Sequence, residues 1–317
     1  MIESIERTPG TTAIDTAERR ARSVWQAYGE ELEASPKTRA TYERALKQWA
    51  AHLEGMGEEW DTVGRRAVTE WRADLIETGH SPYTVNVYLS ALRSFYGWAA
   101  ARRMYPDITA GIKGMRTGRA QAKDALTKAQ TKRLLSYRPD GEAAKRDTAM
   151  IHLMARRGLR TVEVARADVG DLRQVAGRAV LYIRGKGYTA ANDFVVLGDE
   201  LSALIADYLT ERGGDLEDSA PLFAGVGNRN KGGRLTTRTV ARVAKERMAA
   251  AGATGPKLSA HSLRHTAVTM ALLGGATVQE AQALARHADV STTMVYAHNL
   301  DRLGAAAESA VDNYLGL

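Results

Sequence analysis

The sequence predicts a mainly α-helical protein of the α+β class, with a helical N-terminal domain and a mostly helical second domain that carries a small antiparallel sheet. Three observations predict this architecture. The 317 residues exceed the length at which a single hydrophobic core keeps growing, so two domains are expected. Apolar residues recur at helical spacing through most of the chain, whereas short β-type runs occur between residues 171 and 197.

Composition narrows the classes of function. Lysine and arginine outnumber aspartate and glutamate by 44 to 37, and the net charge of +7 favours an anionic partner such as nucleic acid. The absence of cysteine excludes disulfides, thiolate metal sites and a thiol nucleophile. The N-terminus lacks a signal-peptide core and no run of about 18 apolar residues occurs. We therefore expect a cytoplasmic, nucleoid-associated protein that does not interact with membranes.

The first domain is expected at residues 17–105, after an N-terminal tail at residues 1–16. Ser35-Pro36 and Ser81-Pro82 each place a capping side chain before a proline at the first helical position, which predicts two helix starts. The helix after the first start has one apolar face, formed by Tyr42, Leu46, Trp49 and Leu53.

A basic segment that contains glycines, at residues 106–123, has no apolar stripe and is expected to link the two domains. Basic residues in this segment and just before it are candidates for contacts with a DNA backbone. On charge alone, a solvated basic linker explains them equally well. These residues are Arg102, Arg103, Lys113, Arg116, Arg119 and Lys123.

The second domain is expected at residues 124–317. Thr127 and Gln130 form a capping-box pattern at its first helix. The β-type runs at residues 179–184 and 193–197 flank the turn-forming string GKGYTAAN, which predicts one hairpin or small sheet. The C-terminal segment is expected to form a helix that packs on its own core or on a neighbouring subunit, through Leu303, Ala307, Val311 and Leu315.

Residues of chemical interest cluster at the predicted start of one helix. His261, Arg264 and His265 share one helical face in the string HSLRH, so two imidazoles and a guanidinium point together. A solvated polar face is the simpler interpretation of this string taken alone. A zinc site is disfavoured because Ser262 stands where the HExxH zinc pattern needs its glutamate.

Two further segments supply an arginine, a carboxylate, a histidine and a tyrosine. Arg160 follows a Gly-Leu helix break, and the carboxylate of Glu163 can orient its guanidinium; a surface ion pair is the alternative. His287 and Tyr296 lie nine residues apart across a turn, where a half-buried core tyrosine is the alternative. Together with Lys186 in the hairpin turn, these groups are what metal-free phosphoryl transfer requires.

The order and spacing of four strings resemble the catalytic domain of the tyrosine recombinase (phage integrase) family: GLRTVEV, IRGKGYTAANDFVVL, HSLRHT and ALARHADVSTTMVYAH. The strings SPKTRATYERALKQWAAHL and SPYTVNVYLSALRSFYGWAA are similar to the helical, SAM-like core-binding domain of the same family. The resemblance extends from about residue 17 onward, and it implies a core-binding domain followed by a catalytic domain with a C-terminal helix.

The resemblance implies a site-specific recombinase that cuts and rejoins DNA. Tyr296 would be the nucleophile, leaving a 3′-phosphotyrosyl intermediate and a free 5′-hydroxyl, and His261 would be the general base. Arg160 and Arg264 would grip the non-bridging phosphate oxygens, where charge accumulates in the transition state. Lys186 would protonate the departing 5′ oxygen.

Three more positions follow from the resemblance, and one position departs from it. His287 would donate a further hydrogen bond to the phosphate, while His265 and Glu163 would hold the arginines and the helix in place. Arg286 replaces the glycine of the usual Leu-Gly-His string. If that position has a positive φ angle, Arg286 introduces strain, and it can also add a phosphate contact.

The resemblance also implies partners: double-stranded DNA core sites and a tetramer that forms on DNA and exchanges strands through a Holliday junction, with no cofactor and no metal. Two alternatives from other classes are a non-catalytic architectural DNA-binding protein and a type IB topoisomerase-like enzyme that relaxes DNA. The choice among integrase, resolvase and invertase depends on target sites that the sequence does not state.

Overall fold

The computed structural model describes residues 24–116, 124–184, 193–304 and 314–315. The chain divides into two compact units, Met1–Ala120 and Gln121–Leu317. Helices dominate the described part of both units, and the second unit contains a three-stranded antiparallel sheet. The predicted fold class is therefore confirmed. In the described part of the chain, no helix is long and apolar enough to cross a membrane.

The described part of the first unit contains four helices, which are α1 (24–31), α2 (Pro36–Met56), α3 (Arg65–Glu77) and α4 (Pro82–Ala101). Both predicted helix starts are confirmed, because the Ser35 and Ser81 hydroxyls accept hydrogen bonds from backbone amides in the first turns of α2 and α4. Aromatic rings fill the core between these helices. The indole of the fully buried Trp49 donates to the Tyr96 hydroxyl at 3.1 Å, which satisfies a polar group inside an apolar core.

Residues 107–116, in the predicted linker, pack on the first unit. The Asn86 side-chain amide donates to the Met115 carbonyl at 2.9 Å and accepts from the Met115 amide at 2.7 Å. Arg93 donates to the Ile112 carbonyl at 2.8 Å, and the Ile112 side chain is buried. This stretch is therefore an ordered part of the first unit. Residues 1–23 and 117–123 lie outside the described residues.

The second unit begins with α5 (Lys128–Ser136), α6 (Ala144–Arg157), α7 (Thr161–Arg166) and a 3-10 turn at Val169–Asp171. The sheet follows, in strand order β1 (Leu172–Val175), β2 (Arg178–Ile183) and β3 (Asp193–Val196). The remaining helices are α8 (Asp199–Arg212), α9 (Thr237–Ala250), α10 (Ala260–Leu273), α11 (Val278–Ala285) and α12 (Ser291–Gly304). The predicted capping box of Thr127 and Gln130 is present at α5.

The predicted small sheet is confirmed and is one strand larger than the two runs found in the sequence. The added strand, β1, joins β2 through Ala176 and Gly177, whose φ angles of 47° and 73° form the tight turn typical of a hairpin. Leu181 lies opposite Leu172 on one side and Val195 on the other.

The core of the second unit surrounds α6, whose residues Met150, Leu153 and Met154 are almost fully buried. Gly158 ends α6 in the left-handed conformation, with φ of 64°, so the chain turns there into α7. The Gly158 carbonyl accepts a hydrogen bond from Arg264, so the C-terminal end of α6 lies beside a predicted site residue.

Candidate active site

Arg160 and Glu163 are held together at the start of α7. The backbone amide of Arg160 donates to Glu163 Oε2 at 2.7 Å, and its Nη1 donates to Oε1 at 2.6 Å. The Glu163 side chain is fully shielded from solvent, whereas that of Arg160 is 31% exposed. Glu163 thus fixes one side of the guanidinium and leaves the other side accessible.

Arg264 lies in α10 with only 1% of its surface exposed. Its Nη1 donates to the Gly158 carbonyl at 2.7 Å, whereas Nη2 is buried and has no hydrogen-bond partner among the described residues. Burial lowers the pKa of Arg264 to about 9, and the charges of Arg160 and Arg286 add to this effect. The guanidinium is therefore still charged at neutral pH, and one of its donors is left for an acceptor from outside the protein.

Arg286 completes the arginine cluster. It ends α11 in the left-handed conformation, with φ of 52°, and its Nη2 donates to Glu163 Oε2 at 2.7 Å. Burial by itself raises the pKa of Glu163, but the Arg286 charge and hydrogen bonds from Arg160 and Arg286 bring that pKa below its ordinary value. Glu163 is therefore an ionised carboxylate that serves two guanidiniums.

Tyr296 reaches the cluster from α12 and is 7% exposed. Its hydroxyl is hydrogen-bonded to Nδ1 of His265. The His261 ring lies edge-on to His265 with centroids 4.6 Å apart, and the centroids of the His287 and Tyr296 rings are 6.5 Å apart. The imidazole that touches the tyrosine hydroxyl is thus that of His265, whereas the family resemblance implied His261 as the base.

Tyr296 and His265 are both uncharged at neutral pH. Burial raises the pKa of Tyr296, and the nearby charge of Arg264 opposes that rise. Burial lowers the pKa of His265 to about 4, with further lowering by His261 and Arg264. His265 is therefore neutral at pH 7, and a neutral imidazole can accept a proton.

His287 is held by the buried hydroxyl of Thr293, which lies 2.9 Å from Nδ1. Burial lowers the pKa of His287 to about 4, and the charges of Arg264 and Arg160 lower it further. When the threonine hydroxyl donates to Nδ1, the ring proton is on Nε2, which then is a hydrogen-bond donor.

The structure brings most of the sequence-derived candidates into one site. Hydrogen bonds, ring contacts and electrostatic interactions connect Arg160, Glu163, Arg264, His261, His265, His287 and Tyr296. Lys186, Arg119 and Lys123 lie outside the described residues. The other basic candidates are exposed residues of the first unit, namely Arg102, Arg103, Lys113 and Arg116. Among the described residues, no group of three or more His, Asp or Glu side chains is arranged to hold a metal ion.

Two contacts of this site are not predicted by the sequence. One is the ion pair of Arg286 with Glu163, and the other is the bond of Thr293 to His287. The unusual residue at position 286 was the signal for the first contact. The second had only a weak signal, a hydroxyl six residues after a histidine.

Acid is expected to destabilise the second unit between about pH 6.5 and pH 4. An unfolded histidine binds its proton near pH 6.5, whereas folded His265 and His287 stay neutral down to about pH 4. The unfolded state therefore binds more protons in this interval, and the free energy of unfolding falls as the pH falls. We expect the Tm of the wild type to drop more between pH 7 and pH 5 than that of a His265→Gln/His287→Gln variant. Parallel Tm curves for the two proteins would contradict this.

Comparisons with known proteins agree with this site and fold. Residues 124–302 match the model of the phage integrase family, and residues 25–103 match the family's N-terminal SAM-like domain. Tyrosine recombinase XerD of Pseudomonas aeruginosa is 30% identical over 82% of this chain and 86% of its own length. Tyrosine recombinase XerC of Corynebacterium glutamicum is 29% identical over 76% of each chain.

Solved structures share the fold at lower identity. XerH recombinase in a post-cleavage complex with palindromic difH substrate has a TM-score of 0.71 at 18% identity, covering 93% of this chain and 87% of that one. A lambda integrase dimer bound to a COC′ core site has a TM-score of 0.65 at 16% identity, covering 86% and 96%. Because the family model spans more than half of the chain and a curated tyrosine recombinase is 30% identical over most of it, the chain belongs to the phage integrase family of tyrosine recombinases.

Proposed function

We propose that this chain is a site-specific DNA recombinase in which Tyr296 attacks a scissile phosphodiester. One observation carries the proposal. The Tyr296 hydroxyl is bonded to a neutral imidazole beside the buried Arg264, whose Nη2 has no partner among the described residues. A nucleophile, a base and an unused cationic donor thus meet at one point, as phosphoryl transfer requires.

The first step is activation of the tyrosine. A phenol with a pKa near 10 is ionised in only about one molecule in a thousand at neutral pH, and burial of Tyr296 raises that pKa. His265 Nδ1 takes the hydroxyl proton as the tyrosine oxygen forms its bond to phosphorus. The bond from phosphorus to the 5′ oxygen then breaks. The product is a 3′-phosphotyrosyl enzyme, and the bond energy is retained for rejoining.

The departing 5′ oxygen needs a proton, and Lys186 is our candidate donor because it lies in the predicted hairpin turn between β2 and β3. In the reverse step, the incoming 5′-hydroxyl would return that proton and displace the tyrosine. His287, with its proton on Nε2, would donate to the phosphate and thereby support the arginines.

The arginine cluster stabilises the negative charge that builds up on the non-bridging oxygens. The three guanidiniums of Arg160, Arg264 and Arg286 exceed the single carboxylate of Glu163 by two positive charges. Such fixed donors are worth most where water is excluded, and Arg264 is 1% exposed. Charge stabilisation of this kind needs no bound cofactor.

The partner is double-stranded DNA that carries core recombination sites. XerH and lambda integrase, the structural neighbours, are described in complexes with a difH substrate and a core site. The basic residues Arg103, Lys113 and Arg116 of the first unit are exposed and suited to phosphate contacts. Assembly of four copies on two sites, with strand exchange through a Holliday junction, is part of the proposal. Cytoplasmic and nucleoid-associated action stays a prediction.

The experiment first selects bound sequences from a random duplex library and then rebuilds them with a nick close to the expected cleavage point, so that the released fragment cannot be rejoined. We expect wild type in EDTA to form a protease-sensitive covalent protein–DNA adduct, and Tyr296→Phe to bind the same sites without forming one. Tight binding with no adduct from wild type at any selected site would overturn cleavage in favour of a non-catalytic DNA-binding protein.

A further inference from the structure

Arg286 has an unfavourable backbone conformation and a buried side chain. Its φ and ψ are 52° and 49°, in the left-handed region that disfavours residues with a Cβ atom. Only 8% of the side chain is exposed. A long charged residue persists in such a conformation when side-chain contacts offset the strain, and these conformations concentrate at functional sites.

The guanidinium of Arg286 is bonded on several sides. Its Nη2 donates to Glu163 Oε2 at 2.7 Å and to the Gly158 carbonyl at 3.1 Å. Its Nη1 donates to the Leu284 carbonyl at 2.8 Å. These acceptors come from three elements, namely α7, the end of α6 and α11, so the side chain ties together segments far apart in sequence.

Two of these acceptors also hold the arginines proposed to grip the phosphate. Glu163 Oε1 accepts from Arg160 Nη1 at 2.6 Å, and the Gly158 carbonyl accepts from Arg264 Nη1 at 2.7 Å. In addition, Arg160 Nη2 donates to the Arg286 carbonyl at 3.3 Å. Arg286 therefore shares one partner with each of the two arginines and is itself a partner of one.

We propose that Arg286 is a positioning residue for DNA cleavage, which holds Arg160 through Glu163 and Arg264 through the Gly158 carbonyl. The inference rests on the proposed cleavage by Tyr296. By occupying Glu163 Oε2, Arg286 leaves one carboxylate oxygen for the Arg160 side chain. Without Arg286, Oε2 keeps its bond from the Arg160 backbone amide and gains room for a second donor, so we expect the Arg160 guanidinium to shift toward a bidentate pair with Glu163.

Two substitutions distinguish the effect of the strained backbone at position 286 from the effect of the Arg286 side chain. Arg286→Gly removes the side chain and relieves the φ strain, whereas Arg286→Ala removes the side chain and keeps the strain. If residue 286 served only to end α11, the glycine variant would cleave DNA at the wild-type rate. We expect both variants to cleave more slowly, because both lose the contacts to Glu163 and Gly158.

The first test measures single-turnover cleavage of the nicked substrate together with Kd for the intact duplex. We expect the cleavage rate of both variants to fall about 10- to 100-fold, the range that loss of a supporting partner costs at metal sites. We expect Kd to change by less than about threefold and Arg286→Lys, which keeps the charge, to recover part of the rate. A glycine variant that cleaves at the wild-type rate would overturn the inference.

A second test asks whether Arg286 promotes cleavage by helping the arginines to stabilise the negative charge of the phosphate. In a substrate with a methylphosphonate at the cleavage point, a methyl group replaces one charged oxygen, so correct placement of the cations matters less. We expect the rate penalty of Arg286→Ala to shrink to less than about threefold on this substrate. A merely structural role predicts the same penalty on both substrates, and that result would also overturn the inference.

A third test needs no cleavage. Tm values of Arg286→Ala, Glu163→Gln and the double variant form a cycle, with the exposed pair Arg242 and Glu246 of the same unit as the control. We expect strong coupling for the buried pair and near-additivity for the exposed one. If the Tm changes of Arg286→Ala and Glu163→Gln simply add in the double variant, the two side chains do not interact and the inference is overturned. If wild type cleaves no site while the Tm cycle shows coupling, the contact between Arg286 and Glu163 stands, but the proposed function is wrong and so is the positioning role of Arg286 in cleavage.

Discussion

Replacing Arg264 with methionine is expected to reduce single-turnover cleavage by roughly a thousandfold. Loss of one donor to a developing oxyanion costs about 10²- to 10³-fold, and this substitution also removes a charge. Methionine fills the space of the aliphatic part of Arg264 and has no polar group, so no new charge is left unpaired in this 1% exposed site. Arg264→Lys keeps a positive charge without the planar fork, and we expect an intermediate rate.

Arg247→Met is the matched control for this prediction. Arg247 is also a largely buried arginine of the second unit, but it pairs with Asp147, which keeps a second arginine partner in Arg146. We expect the control to lower Tm and leave cleavage within about threefold of wild type. An Arg264→Met variant that is folded and cleaves within tenfold of wild type would remove Arg264 from the proposed mechanism.

Replacing His265 with glutamine is expected to slow cleavage by about 10²- to 10⁴-fold, the usual contribution of a general base. The corresponding His261→Gln variant is expected to lose less activity, because the Tyr296 hydroxyl is bonded to His265. Both rates are measured on the nicked substrate at saturating protein, with Tm as the check on folding. A larger loss in His261→Gln than in His265→Gln would restore His261 as the base.

The pH profile gives an independent measure of the same base. The pKa of His265 is lowered to about 4, mainly by burial and further by electrostatic interactions with His261 and Arg264. The base is active when neutral, so cleavage should stay level from pH 7 to about pH 5 and fall as the pH approaches 4. A base with the ordinary histidine pKa would instead lose activity near pH 6.5.

Much of the helical architecture could be predicted from local signals. The Ser-Pro pairs at positions 35 and 81 start α2 and α4, and the Thr127–Gln130 box starts α5. Strand β1 was missed because its four residues show no alternation of buried and exposed side chains. It exists because its backbone pairs with β2, which is information that a local pattern does not contain.

In the candidate site, too, local spacing predicts which residues share a helix face, whereas contacts between helices depend on tertiary packing. Helical spacing places His261, Arg264 and His265 on one face of α10, but it does not say which imidazole touches the tyrosine. That choice depends on how α12 packs against α10 and α11 in the cluster of Val268, Ala281, Ala285 and Tyr296. Arg286 was visible as a departure from the family pattern, yet its partner Glu163 lies 123 residues earlier in the chain.

Mass spectrometry of the trypsin- and nuclease-treated adduct tests the nucleophile most directly. The tryptic peptide at residues 287–302 contains Tyr296 and no other tyrosine. We expect this peptide to carry a nucleotide 3′-phosphate on Tyr296, and the released DNA strand to end in a 5′-hydroxyl, with EDTA present throughout. A nucleotide attached to another residue, or linked through a 5′-phosphate, would contradict the proposed mechanism.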